Sequence, residues 1–233
     1  MALEQVLRHP QVWRGNSLAG GMPTVPTGFG ELDAALPGGG WPSGALTELL
    51  ASARGIGELG VLLPALARLT CAGKRVVWLA PPYLPYAPAL AAAGIDLPHL
   101  ALVRAAGRRD ALWAAEQALR AGSCHALLAW LPAVGYQQLR RLAVAAEASR
   151  AFVALFRPPQ AAAESSPACL RLALEPAEGG LRVQVLKRRG APLTAPLLLP
   201  VKRPFHALGR AALPGTVERG ARAARRVGLP VHA

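Results

Sequence analysis

The chain has 233 residues, 52% of them hydrophobic, with 17% charged and a formal net charge of +13, so it carries enough apolar side chains to bury a core of ordinary domain size. Disorder of the whole chain is thereby excluded, and no uninterrupted apolar run approaches the roughly 20 residues needed to cross a bilayer. The charge is uneven: residues 1–149 hold 12 Lys and Arg against 9 Asp and Glu, whereas residues 150–233 hold 14 against 4. Such a basic half attracts polyanions, of which nucleic acid is the commonest in a cytosolic protein. Glu4, Arg8 and His9 stand where a secretory leader would need its apolar stretch, which points to a cytoplasmic protein.

In chain order, residues 3–13 place Leu3, Val6 and Leu7 on one helical face, with Pro10 as a stop and Trp13 beyond it. Residues 15–44 are rich in Gly and Pro and read as turns, with one short amphipathic helix through Phe29, Leu32, Ala35 and Leu36. From there apolar strands alternate with helices. Strands are expected at 45–50, 75–80, 100–104, 126–130 and 151–156. Helices are expected at 58–72 despite Pro64, at 84–93, from a cap at Asp110 to Arg120, and at 136–149. Nearly unbroken apolar strands separated by helices mean an α/β fold, a mostly parallel sheet flanked by helices. After a Pro/Ala/Ser loop at 158–167, the alternating segments 169–174 and 181–188 around Glu178-Gly179-Gly180 predict an antiparallel hairpin at one edge. The division this suggests is an N-terminal helix and linker at 1–23, a core at 24–200 and a basic C-terminal tail at 201–233.

The three cysteines, Cys71, Cys124 and Cys169, have no metal-ligand spacing, and their odd number argues against a disulfide framework. The five histidines are scattered, and no Ser or Cys has the setting of a nucleophile, so no catalytic or metal-binding residue is expected.

The run Thr27-Gly28, Leu32-Asp33 and Pro37-Gly38-Gly39-Gly40-Trp41-Pro42-Ser43-Gly44-Ala45-Leu46-Thr47-Glu48 resembles the entry into the RecA core, and the order of elements over 24–190 is similar as well. With Gly55–Leu59, the run resembles ImuA, a RecA-like component of SOS mutagenesis cassettes related to the division inhibitor SulA. A RecA-type ATPase would next carry G-x-x-x-x-G-K-[ST], whose amides, Lys and hydroxyl hold phosphates and magnesium. This chain has Ala51-Ser52-Ala53-Arg54-Gly55-Ile56-Gly57-Glu58. Ala51 and Ile56 replace glycines, Gly57 stands in place of the Lys and Glu58 in place of the Thr, leaving only Arg54 as a cation. The strand at 126–130 ends in Trp130 rather than a metal-binding Asp, and the turn Pro81-Pro82-Tyr83 lacks the water-activating Glu. No ATPase chemistry and no cofactor are therefore expected.

The resemblance implies a non-catalytic accessory protein of SOS-induced translesion synthesis and mutagenic repair, nucleoid-associated. Its partners would be an ImuB-like relative of the Y-family polymerases, an error-prone polymerase, RecA, and single-stranded DNA. DNA contacts would then fall to Arg157, Lys187, Arg188, Arg189, Lys202, Arg203, Arg222, Arg225 and Arg226, the last three sharing a helical face. The competing expectations are a SulA-like inhibitor of the tubulin-like division protein FtsZ, normally on a shorter and less basic chain, and a RecA-type ATPase or recombination mediator.

Overall fold

In the computed structural model the described residues are 23–201; the helix and Trp13 expected near the N-terminus, and Lys202, Arg203, Arg222, Arg225 and Arg226, lie outside them. Among the described residues the first element is a two-residue strand, β1 (Thr24–Val25), which pairs antiparallel with β2 (Trp41–Pro42) around the short helix α1 (Gly30–Ala35). The turn into α1 is built by the residues of the Thr27–Asp33 motif. The Thr27 amide donates to Asp33 Oδ1 at 2.8 Å, and the Phe29 amide donates to Thr27 Oγ1 at 3.0 Å. Gly28 has φ +88°, and a Cβ there would stand 2.5 Å from Cβ of Pro64, so only glycine lets the turn seat against the next helix.

Beyond this turn come β3 (Ala45–Ala51), a 3-10 turn at Glu58–Val61, helix α2 (Leu63–Cys71), β4 (Val76–Leu79), α3 (Ala87–Ala92) and β5 (Leu100–Val103). They are followed by α4 (Arg108–Arg120), β6 (Ala126–Trp130), α5 (Tyr136–Ser149), β7 (Phe152–Arg157), a 3-10 turn at Pro159–Ala163, β8 (Leu170–Ala177), β9 (Gly180–Lys187) and β10 (Leu197–Leu199). Eight of the strands form one sheet in the order β10-β9-β8-β3-β7-β6-β4-β5. All neighbours from β8 to β5 are parallel, and only β9 runs against both of its neighbours. The mixed α/β architecture with an antiparallel hairpin is thus as expected.

Each face of the sheet has its own core. On one, Leu49, Trp78, Leu128, Phe152 and Leu172 pack under α1 and α2; on the other, Leu46, Leu79, Leu127, Val153 and Leu155 pack under α4 and α5. The period of two along each strand divides these sets.

Several local expectations are corrected. The single helix at 58–72 is broken into a 3-10 turn and α2, because Pro64 cannot donate into a preceding turn and is tolerated only near a helix start. The helix at 84–93 shrinks to Ala87–Ala92, since Pro85 and Pro88 hold residues 83–86 out of it. The α4 N-cap is Gly107, not Asp110, which instead lies in the first turn, where a carboxylate favours the helix dipole. Strand β5 is an edge strand with exposed Ala101 and Leu102 rather than one covered on both faces.

Candidate functional site

A cleft of about 470 Å³ opens at the carboxyl ends of β3, β4, β6 and β7, where parallel α/β sheets usually place their ligands. Its walls are Ala51, Ala53, Arg54 and Glu58 from the loop after β3, Ala80 and Pro82 after β4, Trp130 and Pro132 at the end of β6, and Phe156 to Pro159 at the end of β7. Of the residues expected to form a degenerate nucleotide loop, Ala51, Arg54 and Glu58 line the cleft, while Ile56 packs against the core and Gly57 sits 3.6 Å, at its notional Cβ, from Cγ1 of Val201.

The chemistry of this cleft is apolar with few charges. Trp130 stacks on Phe156 with ring centroids 4.5 Å apart and planes 9° from parallel, and Trp78 meets Trp130 edge-on at 6.0 Å. Prolines 82, 132, 158 and 159 add rigid apolar walls. The Gly55 amide donates to Glu58 Oε1 at 3.1 Å. A loop amide that could have faced phosphate is thus satisfied by the chain's own carboxylate, which also repels an incoming anion. Among the described residues no group of three or more His, Cys, Asp or Glu could hold a metal ion.

Behind the cleft lies a buried ionic cluster that residue-by-residue sequence reading missed. Glu48, in the central strand β3, is fully buried and accepts from Arg171 Nε at 2.6 Å, Arg157 Nη1 at 3.1 Å and Ser166 Oγ at 2.9 Å. The register explains the meeting: Glu48 stands opposite Arg171 on β8 and Leu155 on β7, and Arg157 is two residues on from Leu155, hence on the same face. Arg157 also donates to the Val134 carbonyl at 3.0 Å and to Glu164 Oε2 at 2.8 Å, and Arg171 donates to the carbonyls of Ala161, Ala162 and Glu164. Two carboxylates thus balance two guanidiniums, which offsets their desolvation only because nearly every donor finds an acceptor. A β-bulge between Arg171 and Leu172 adjoins the cluster.

This cluster corrects the role assigned to Arg157. Its side chain is 1% exposed and its guanidinium is committed to Glu48, Val134 and Glu164, so it cannot meet a phosphate backbone. Lys187 is exposed but donates to the Ser166 carbonyl at 2.8 Å, and Arg188 is turned inward onto the carbonyls of Ala191 and Ala35. Arg189 is half-buried beside the β2 turn and Cys169. Of the expected DNA-contacting cations within the described residues, Arg157 is thus buried, and Lys187 and Arg188 hydrogen-bond the chain itself.

Two thiols are held in their protonated form. Burial pushes Cys124 up to about 11, against weaker opposing hydrogen bonds with backbone at Ala126 and Val77, and burial likewise raises Cys169. Cys71 is exposed.

The surface at the cleft's outer rim is unusually apolar. Tyr83, Leu84 and Tyr86 are 68%, 78% and 72% exposed, in a loop whose neighbours Pro81, Pro82 and Pro85 limit its freedom. Side chains of this kind occur at protein contacts, since two aromatic rings and a leucine bury much area at small entropic cost. No helix among the described residues is long and apolar enough to cross a membrane.

Fold and cleft define an α/β chain with a mostly parallel sheet, a nonpolar cleft at its carboxyl edge and an exposed aromatic loop beside it. Residues 44–153, which run from the start of β3 into β7, match the family model "Cell division inhibitor SulA". The cell division inhibitor SulA of Edwardsiella piscicida is 34% identical over 101 residues, covering 43% of this chain and 60% of that protein; the chain thus spans under two thirds of its length. The crystal structure of SulA from Pseudomonas aeruginosa aligns at 25% identity with a TM-score of 0.42, covering 48% of this chain and 97% of that one.

These similarities overturn the expectation of an ImuA-like translesion protein. They fall on the division inhibitor that had stood as its alternative. With the translesion role go its partners: the ImuB-like polymerase relative, the error-prone polymerase, RecA and single-stranded DNA.

Proposed function

We propose that the chain is a non-enzymatic inhibitor of bacterial cell division that acts in the cytoplasm by binding a tubulin-like division protein of the FtsZ type. The observation that carries this reading is the match of residues 44–153 to the division-inhibitor model, a stretch that contains β3 to β6, helices α2 to α5 and the Tyr83–Tyr86 loop. The RecA-like run at Thr27–Glu48 fits the same reading as a structural inheritance: its Thr, Gly and Asp build the turn into α1, while the loop after it has lost the groups that handle phosphate. The absence of catalysis is part of the proposal and rests on Glu58, Trp130 and Pro82 standing where an ATPase needs a hydroxyl, an Asp and a Glu.

The contact is assigned to the loop carrying Tyr83, Leu84 and Tyr86. Inhibitors of assembly need bind only the face through which subunits join, so a small apolar projection is sufficient. Controlled expression in dividing bacteria tests the reading. Cells should become filaments without septa while DNA replication continues; cells that divide at normal length with the chain present at high level would refute it.

A further inference from the structure

The cleft at the carboxyl edge of the sheet has lost its phosphate chemistry but keeps the form of a small-molecule site, a use that inhibition of division leaves open. Its volume of about 470 Å³ falls within the roughly 300–1,000 Å³ of clefts that enclose small ligands, and its lining has their usual make-up, mostly apolar with a few polar groups. Besides the buried Arg157, its ionic groups are Arg54 and Glu58, of opposite sign and on the same loop. Among the described residues Arg54 has no hydrogen bond or ion pair, and Glu58 accepts only from the Gly55 amide. A polyphosphate gains from Arg54 what it loses to Glu58, whereas a molecule carrying both charges gains at both. The stack of Trp130 on Phe156 supplies the apolar counterpart: Trp130 lines the cleft half-buried, so a further ring packed against it would take apolar surface out of water. The walls are stiff, with Pro82 and Pro132 beside Trp130 and with Ala80 held at φ +50°, a left-handed conformation that costs an alanine energy and is found most often where a site is held rigid.

We propose that the cleft binds a free amino acid with an aromatic side chain, its carboxylate on Arg54, its ammonium on Glu58 and its ring against Trp130. A peptide terminus brings only one of the two charges to the loop, so the free amino acid is the occupant that answers both. The proposal goes beyond the division-inhibitor reading and does not rest on it: assembly of FtsZ decides that reading, and direct binding decides this one.

Equilibrium dialysis of radiolabelled L-phenylalanine against the full chain is the test. Phenylalanine should bind saturably. The compounds 3-phenylpropionate, phenethylamine and alanine lack in turn the ammonium, the carboxylate and the ring, and each should compete at least about tenfold more weakly, the factor expected for one charge-assisted hydrogen bond or one buried ring. Arg54→Gln and Glu58→Gln should each weaken binding by a similar factor, and the second keeps an oxygen for the Gly55 amide, so the loop stays closed. Saturating phenylalanine should also slow hydrogen exchange severalfold in residues 51–58 and 130–133. No saturable binding at millimolar concentrations, equal competition by 3-phenylpropionate, unchanged affinity in either Gln variant, or protection confined to other segments would each overturn the proposal.

Discussion

Replacing Glu48 by Leu tests whether the buried cluster is organised as described. The side chain is fully buried and accepts three hydrogen bonds, two of them from guanidinium groups that are themselves almost wholly buried. Removing one member of a buried ion pair typically costs about 3–5 kcal/mol, because the remaining charge stays desolvated without its partner. Arg157 retains Glu164 and the Val134 carbonyl, and Arg171 retains the carbonyls of residues 161, 162 and 164. The expected loss is therefore at the lower end, about 3 kcal/mol. For a chain of this size that corresponds to a fall in Tm of roughly 6–12 °C. Urea denaturation followed by circular dichroism measures it directly. Adding Arg171→Met to Glu48→Leu removes an orphaned charge, so the double variant should be more stable than the sum of the single losses by at least about 1 kcal/mol. A Glu48→Leu loss below about 1 kcal/mol, or strict additivity in the cycle, would refute the account of the cluster.

Alkylation should follow the burial of the thiols. With Cys124 raised to about 11, roughly one molecule in a thousand carries its thiolate at pH 8, so iodoacetamide should label Cys71 and spare Cys124 and Cys169 until denaturant is added; labelling of Cys124 as fast as Cys71 in the native protein would contradict this. Gly180→Ala should destabilise the chain by about 1–3 kcal/mol, because a Cβ there would meet the Leu199 carbonyl oxygen at 1.9 Å and push β10 off β9; an unchanged midpoint in urea would show that the strand gives way freely. Purified protein should hydrolyse no ATP with magnesium present, and turnover abolished by Arg54→Ala would show that the loop still handles phosphate.

The alternation of apolar strands with helices was legible because it depends on local periodicity, which survives in a chain of any origin. The hairpin of β8 and β9 was legible from Glu178-Gly179-Gly180, since turn chemistry is carried by the turn residues themselves. Strand β10 was not: three residues between Pro196 and Pro200 give no period, and only pairing with β9 makes them a strand. Likewise β1 and β2 exist by pairing across the α1 turn. Glu48 offered a signal in plain view, a carboxylate inside the apolar run Ala45–Ala51, where burial demands a partner. Which cations answer it depends on register between strands 109 and 123 residues further along, and that is set by the sheet as a whole. The same limit explains the misplaced role of Arg157. A cation at a strand end reads as a surface charge until the fold shows what surrounds it. The net charge likewise suggested a polyanion partner, although the cations of the described basic run, Lys187 to Arg189, are largely engaged with the chain itself.

The most direct measurement of the proposed function is GTP-dependent assembly of purified FtsZ, followed by light scattering and sedimentation, in the presence of the full chain. The wild-type protein should suppress assembly at near-equimolar ratio, and a Tyr83→Ser, Leu84→Ser, Tyr86→Ser variant, altered only at exposed positions and so unchanged in Tm, should lose at least tenfold in potency. Assembly that proceeds unaltered with excess wild-type protein would contradict the division-inhibitor reading, and equal inhibition by the triple variant would move the contact away from the loop.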